Sequence, residues 1–232
     1  MDLFDQLDAA VERQRLYGVY PAKVTKIKGD GDDGQGRVKV QLPWSPDNSG
    51  AGYEAWARLA VLMAGPNRGA WFIPDVGDEV LVCFEAGDPR RPYVVGALWN
   101  GSDAPPETMD GAGNNYKKSI VSRRGIRITM DDTEGQETLT LKTPQQSIVV
   151  NDGGRSIEIK DANGNSIKLD SSGVTVITKA QVNVDAGTVK VKASTVTVDA
   201  VTTKISGIVL TDTIITKSII ANTYMPGLGN FL

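Results

Sequence analysis

This 232-residue chain contains no histidine and only one cysteine. The missing imidazole removes Ser-His-Asp and Cys-His nucleophile systems, His-ligated zinc and imidazole acid–base chemistry. Cys83 sits in the apolar run Glu79-Val-Leu-Val-Cys-Phe84. A lone thiol there serves packing and cannot form an intrachain disulfide. Aromatic residues make up only 6% of the chain, and the net charge is −3. With no basic block in either half, electrostatic binding to nucleic acid or to an anionic membrane is not expected. No apolar stretch approaches the ~20 residues that a bilayer span needs. The start, Met1-Asp-Leu-Phe-Asp-Gln-Leu-Asp, lacks the basic region and continuous apolar core of a signal peptide. Assembly in a reducing cytoplasm is the expectation.

What the chain has in quantity is Gly, Thr, Val and Asp arranged as short alternating units. Val182-Asn-Val184, Val189-Lys-Val191 and Val196-Thr-Val198 recur seven positions apart. Upstream, Ile148-Val-Val150, Ile157-Glu-Ile159, Ile167-Lys-Leu169 and Val174-Thr-Val176 repeat at spacings of seven to ten. Each unit has one apolar face too small to bury itself, so the units must stack. A stack this thin needs other chains to close its core. The predicted core residues are Ile157, Ile159, Ile167, Leu169, Val174, Val176, Val182, Val184, Val189, Val191, Val196 and Val198.

Five segments follow along the chain. Over residues 1–16, Leu3, Phe4, Leu7, Ala10 and Val11 fall on one face at helical spacing, predicting a short amphipathic helix. It packs either on its own domain or onto another subunit. Residues 17–101 read as antiparallel strands: Val19–Ile27, Arg37–Leu42, Ala55–Ala60, Gly69–Ile73, Glu79–Phe84 and Pro92–Trp99, joined by Gly and Pro turns. That pattern suits a small closed barrel of OB type, with Trp44, Trp56, Trp71 and Trp99 available to its core. Residues 102–118 are a Pro/Gly linker, too short to hold a catalytic domain. Residues 119–222 carry the ladder, and 223–232 form a Gly-rich end. The fold class expected is all-β.

The candidate chemistry is thin. Gly29-Asp-Gly-Asp-Asp-Gly-Gln-Gly36 has closely spaced carboxylates but lacks the downstream bidentate Glu of a calcium loop, and it lies between strands. A solvated hairpin turn accounts for it. The Asp-Gly and Asn-Gly steps of the ladder lack the nine-residue repeat of calcium β-rolls and fit positive-φ turns. Arg90-Arg91 and Arg123-Arg124 are isolated pairs offset by nearby acids. No cofactor and no metal site is expected, and no enzymatic activity. An OB-type barrel keeps one rival open: a binding module for single-stranded nucleic acid or glycan with a fibrous tail. Base stacking would need aromatics where Val24-Thr-Lys-Ile27 and Val38-Lys-Val40 place Val, Thr and Lys.

Several ordered motifs carry a family likeness. Tyr17-Gly-Val-Tyr-Pro-Ala-Lys-Val24, Gly36-Arg-Val-Lys-Val-Gln-Leu-Pro-Trp44, Ala55-Trp-Ala-Arg58 and Trp71-Phe-Ile-Pro-Asp-Val-Gly-Asp-Glu-Val-Leu-Val82 resemble the OB domain of phage baseplate assembly protein V. Phe84-Glu-Ala-Gly-Asp-Pro-Arg-Arg-Pro-Tyr-Val-Val-Gly-Ala-Leu-Trp-Asn100 and Asp103-Ala-Pro-Pro106 do so too. The same domain occurs in VgrG proteins of type VI secretion and in spikes of extracellular injection systems. The resemblance implies a homotrimeric central spike whose ladder is an intertwined triple-stranded β-helix. It sits below a tube hub and is driven through the target envelope by sheath contraction, touching the membrane transiently. It further implies that the hub domain of larger members comes from a separate protein, with Leu3, Phe4 and Leu7 as hub-docking residues. The iron-binding His-x-His tip of some phage spikes cannot form without histidine. A PAAR-type tip protein is therefore expected on the C-terminal end, at Leu228, Phe231 and Leu232.

Overall fold

The structure, a computed structural model, describes residues 15–29, 36–45, 50 and 52–223. The expected N-terminal helix with Leu3, Phe4 and Leu7 lies outside the described residues, apart from Arg15 and Leu16. Most of the Gly29–Gly36 turn and the C-terminal Leu228, Phe231 and Leu232 lie outside them as well. Among the described residues, regular structure consists of strands and one 3-10 turn. Two compact units divide the chain after Gln181.

The first unit opens with a barrel. Its strands are β1 (Val19–Lys26), β2 (Arg37–Leu42) and β3 (Tyr53–Leu59), then the two-residue strands β4 (Ala64–Gly65) and β5 (Arg68–Gly69), then β6 (Glu79–Phe84) and β7 (Pro92–Leu98). The barrel closes in the order β1-β2-β3-β7-β6, with β3 and β7 parallel and every other pair antiparallel. Five strands closed this way make the OB barrel expected from the turn pattern. Alternation decides which side of each strand is buried. Val24, Val38, Val40, Leu42, Ala57, Val80, Val82 and Val94 point inward, joined by Ala22 and Phe84.

The core is therefore aliphatic, and the expected use of the tryptophans is corrected. Trp71 and Trp99 are more than two-thirds exposed, and Trp44 is 40% exposed. Trp44 stacks on Tyr20 at 4.8 Å between ring centres and donates Nε1–H to the Pro21 carbonyl at 3.0 Å. Trp56 lies so close to Gly29 that a Cβ there would meet the indole at 2.5 Å, so a larger residue would require the ring to move. Segment Gly69–Ile73 is corrected too. Only Gly69 is in a strand, and Trp71 and Phe72 lie on the surface beyond the small β4–β5 hairpin. Alternation around Trp71 fits a strand locally, but residues 70–73 pair with no strand among the described residues.

After the barrel come seven five-residue strands: β8 (Lys117–Val121), β9 (Arg127–Asp131), β10 (Thr138–Lys142), β11 (Ser147–Asn151), β12 (Ser156–Lys160), β13 (Ser166–Asp170) and β14 (Gly173–Ile177). They form one antiparallel meander in sequence order. The units stack as expected, each strand pairing with its neighbours in the chain. The sheet's aliphatic face is uncovered, while its backbone is paired everywhere except along the outer edges of β8 and β14. Gly125, Gly135, Gly164 and Gly173 adopt positive φ at the turns. The second unit, from Val182 onward, forms no strand among its described residues.

Truncating Leu42, which is 1% exposed, to alanine should cost about 2–5 kcal/mol through lost transfer energy and a cavity. Trp71→Ala should stay within about 0.5 kcal/mol, as surface changes do. Urea unfolding followed by tryptophan fluorescence checks both, and equal costs would contradict the aliphatic core.

Candidate functional site: an uncovered aliphatic face

Strict five-residue strands joined by tight turns keep the register constant across the meander. One continuous column runs Ile120, Ile128, Leu141, Ile148, Ile159, Ile167, Val176. A second runs Met130, Leu139, Val150, Ile157, Leu169, Val174, with Lys118 at its β8 end. With neighbouring strands about 4.8 Å apart, each column is about 29 Å long. Both lie on one face because residues two apart share a side. These side chains remain about 37–68% exposed in the single chain.

The opposite face is polar. Its central column is Ser119, Thr129, Thr140, Val149, Glu158, Lys168 and Thr175. Ion pairs Lys160–Glu158 and Lys168–Asp170, each at 2.8 Å, sit on it. At the β8–β9 end, Arg127 is paired with Glu107 of the preceding segment. That segment lines an open groove of about 610 Å³ with Trp99, Tyr116, Lys117 and Ser119. On the same face, the Thr129 hydroxyl is buried without a hydrogen-bond partner. The polar face is thus partly roofed by the chain itself, and the aliphatic face is not.

Turn aspartates hold the register. Asp161 accepts the backbone N–H groups of Asn163 at 2.9 Å and Asn165 at 2.8 Å, bonds that keep its carboxyl below the usual range. In the first unit's other loops, Asp131 bonded to Thr133 and Asp110 capping residues 112–115 behave alike. Lys168, with Ser172 adding bonds, holds Asp170 lower still. In the barrel, the Arg90 guanidinium holds Asp88 at about 2.

Of the predicted core residues, Ile157, Ile159, Ile167, Leu169, Val174 and Val176 are brought together in the two columns. Val182, Val184, Val189, Val191, Val196 and Val198 lie in the second unit, more than 60% exposed and without strand pairing. The core residues expected from sequence leave out Ile120, Ile128, Met130, Leu139 and Leu141 of this face, as well as Ile148 and Val150, although Ile148-Val-Val150 is one of the repeat units. The alternation in Val121–Met130 and Glu137–Lys142 was the available signal. Among the described residues, no group of three or more acidic or thiol side chains is placed to hold a metal, and no helix is long and apolar enough to cross a membrane.

A closed OB barrel followed by a sheet with one bare aliphatic face defines a class: a barrel carried on an oligomerising stalk. Residues 20–99 match the type VI secretion system/phage-baseplate injector OB domain, and residues 138–204 match the phage baseplate V C-terminal trimerisation domain. The chain belongs to the family of phage baseplate V and VgrG-like spike proteins. Type VI secretion system spike protein VgrG1a of Pseudomonas aeruginosa is 35% identical over 134 residues, 54% of this chain and 21% of its own length. VgrG3 of Vibrio cholerae is 39% identical over 117 residues, 47% of this chain and 11% of its own. A Vibrio cholerae relative named actin cross-linking toxin VgrG1 is 26% identical over 168 residues, 69% of this chain and 15% of its own. The chain thus spans less than a quarter of these relatives' length.

Because each turn carboxyl is depressed in the folded state, its stabilisation is complete above the unfolded value of about 3.9 and is lost as pH falls through the folded value. The unfolding midpoint should therefore drop as pH falls below about 4. Asp170→Asn should make that drop shallower. For Asp88, carboxyl NMR should show titration near 2, and Arg90→Ala should move it back up.

Proposed function

We propose that this chain is the non-enzymatic central spike of a contractile injection machine, acting as a homotrimer. The observation that carries this reading is the bare aliphatic face of β8–β14 in a chain matched to a trimerisation domain. Two further copies supply what one chain lacks. Each half-exposed aliphatic side chain gains about 1 kcal/mol on being covered, and the columns add these gains along the whole sheet. The trimer core takes in Ile157, Ile159, Ile167, Leu169, Val174 and Val176, extends to Ile120 and Met130, and includes the valines at 182, 184, 189, 191, 196 and 198 as an intertwined β-helix.

In this reading the barrel is the mount and the β-structure is the needle. A separate hub protein sits above, docked on Leu3, Phe4 and Leu7, and a PAAR-type protein caps Leu228, Phe231 and Leu232. Sheath contraction drives the assembly through the target envelope. The chain transmits force and catalyses nothing, and the particle is assembled in the bacterial cytoplasm. Close packing suits the mechanical role, since separating three interlocked cores requires many contacts to fail together.

Light scattering on the purified chain should give three times the 24.8 kDa protomer mass. A stable monodisperse monomer would overturn the reading. Ile157→Asp and Val189→Asp should each block assembly, because three carboxylates would be buried unpaired around one axis at several kcal/mol apiece. Normal trimers from either variant would place that residue outside the core.

A further inference from the structure

The second unit contains a regular change of repeat. Its backbone bends at Gly187, Ser194 and Val201, seven residues apart, then at Gly207, and then every five residues at Asp212, Lys217 and Asn222. The residue two places after each bend keeps one phase throughout: Val189, Val196, Thr203, Val209, Ile214, Ile219. Val209, Ile214 and Ile219 are 56–64% exposed, close to the valines of the seven-residue runs.

Two substitutions of character accompany the shorter run. Four places after the bend, the seven-residue runs carry Val191, Val198 and Ile205, whereas the five-residue runs carry Thr211, Thr216 and Ala221. Both threonines do the same thing: Thr211 Oγ1 donates to the Thr213 carbonyl and Thr216 Oγ1 to that of Ser218, each at 3.1 Å. Three places after the bend, polar Lys190, Thr197 and Lys204 give way to Leu210, Ile215 and Ile220, which are almost fully exposed. Neighbouring residues of an extended chain point to opposite sides. The row at Val209 is therefore an inner one and the row at Leu210 an outer one.

We infer that residues 208–222 continue the trimer as a narrower point, with Val209, Ile214 and Ile219 of three copies of this chain packed on the axis. This rests on the trimeric reading above, and it extends the interface beyond the matched residues 138–204. In this trimer each bend-to-bend run would form one side of the cross-section. At about 3.3 Å per residue, that side shrinks from about 23 Å to about 17 Å, roughly halving the area. A core this narrow accepts one large side chain per run, so the second becomes Thr or Ala. The same driving force then acts on about half the area at the point.

Limited trypsin digestion of the full chain, read by mass spectrometry, tests this at Lys190, Lys192, Lys204 and Lys217. All four should be protected in the wild-type trimer. The triple variant Val209→Ser, Ile214→Ser, Ile219→Ser should speed cleavage at Lys217 by about tenfold or more, because cutting follows the population of the opened end. Lys190 and Lys192 should stay protected in it. Leu210→Ser, Ile215→Ser, Ile220→Ser should leave Lys217 protected. Rapid wild-type cutting at Lys217 alone, within an intact trimer, would overturn this inference and leave the spike reading standing. So would opening by the outer triple but not the inner one. A monomer cut at every lysine would overturn both.

Discussion

One constraint organises this molecule: a β-meander can satisfy its backbone within one chain while leaving one side-chain face without a partner. Each strand from β8 to β14 has neighbours in its own chain. Hydrogen bonding therefore asks for nothing more from another copy in the interior of the sheet. The two aliphatic columns do ask for more, because water contacts about half of each side chain. A large exposed apolar surface on an otherwise polar protein marks an interaction site. The family's trimerisation domain gives that demand an answer.

The barrel meets the same problem the opposite way. Closure leaves no open edge and turns its alternating valines inward, where Val38, Val80 and Val82 are fully buried. It can stand alone, and the sheet's bare face cannot. Arg123 reaches Asp75 of the barrel at 3.3 Å, and Glu107 pairs with Arg127 across the intervening segment. Exposed pairs such as the first contribute little energy. They join the β8–β9 end of the sheet to the barrel and to the intervening segment, while the aliphatic face stays open.

Length per strand is the device that makes the columns continuous. Five residues, with turns locked by Asp161, Asp170 and positive-φ glycines, return every second side chain of a strand to the same face in register with its neighbour. A slip of one residue would send an entire column to the polar side. In the second unit, run length plays a comparable part: seven residues admit two valines per run, and five admit one large residue and one small.

Much was legible without coordinates. Alternation and Gly/Pro turns identified a barrel of OB type. The Val-x-Val and Ile-x-Ile units marked the aliphatic side of β11 to β14, since period-two patterning is a local property of the chain. The absent histidines disposed of whole classes of chemistry. What sequence could not decide was pairing. Strands at β8–β14 pair within the chain while the equally patterned Val182–Val198 does not, because pairing depends on which edges meet in space. Nor could it place the tryptophans: Val, Ala, Leu42 and Phe84 fill the barrel, while Trp71 and Trp99 lie at the surface. Local periodicity determined which residues face which way; only the tertiary structure decided which of those faces found a partner.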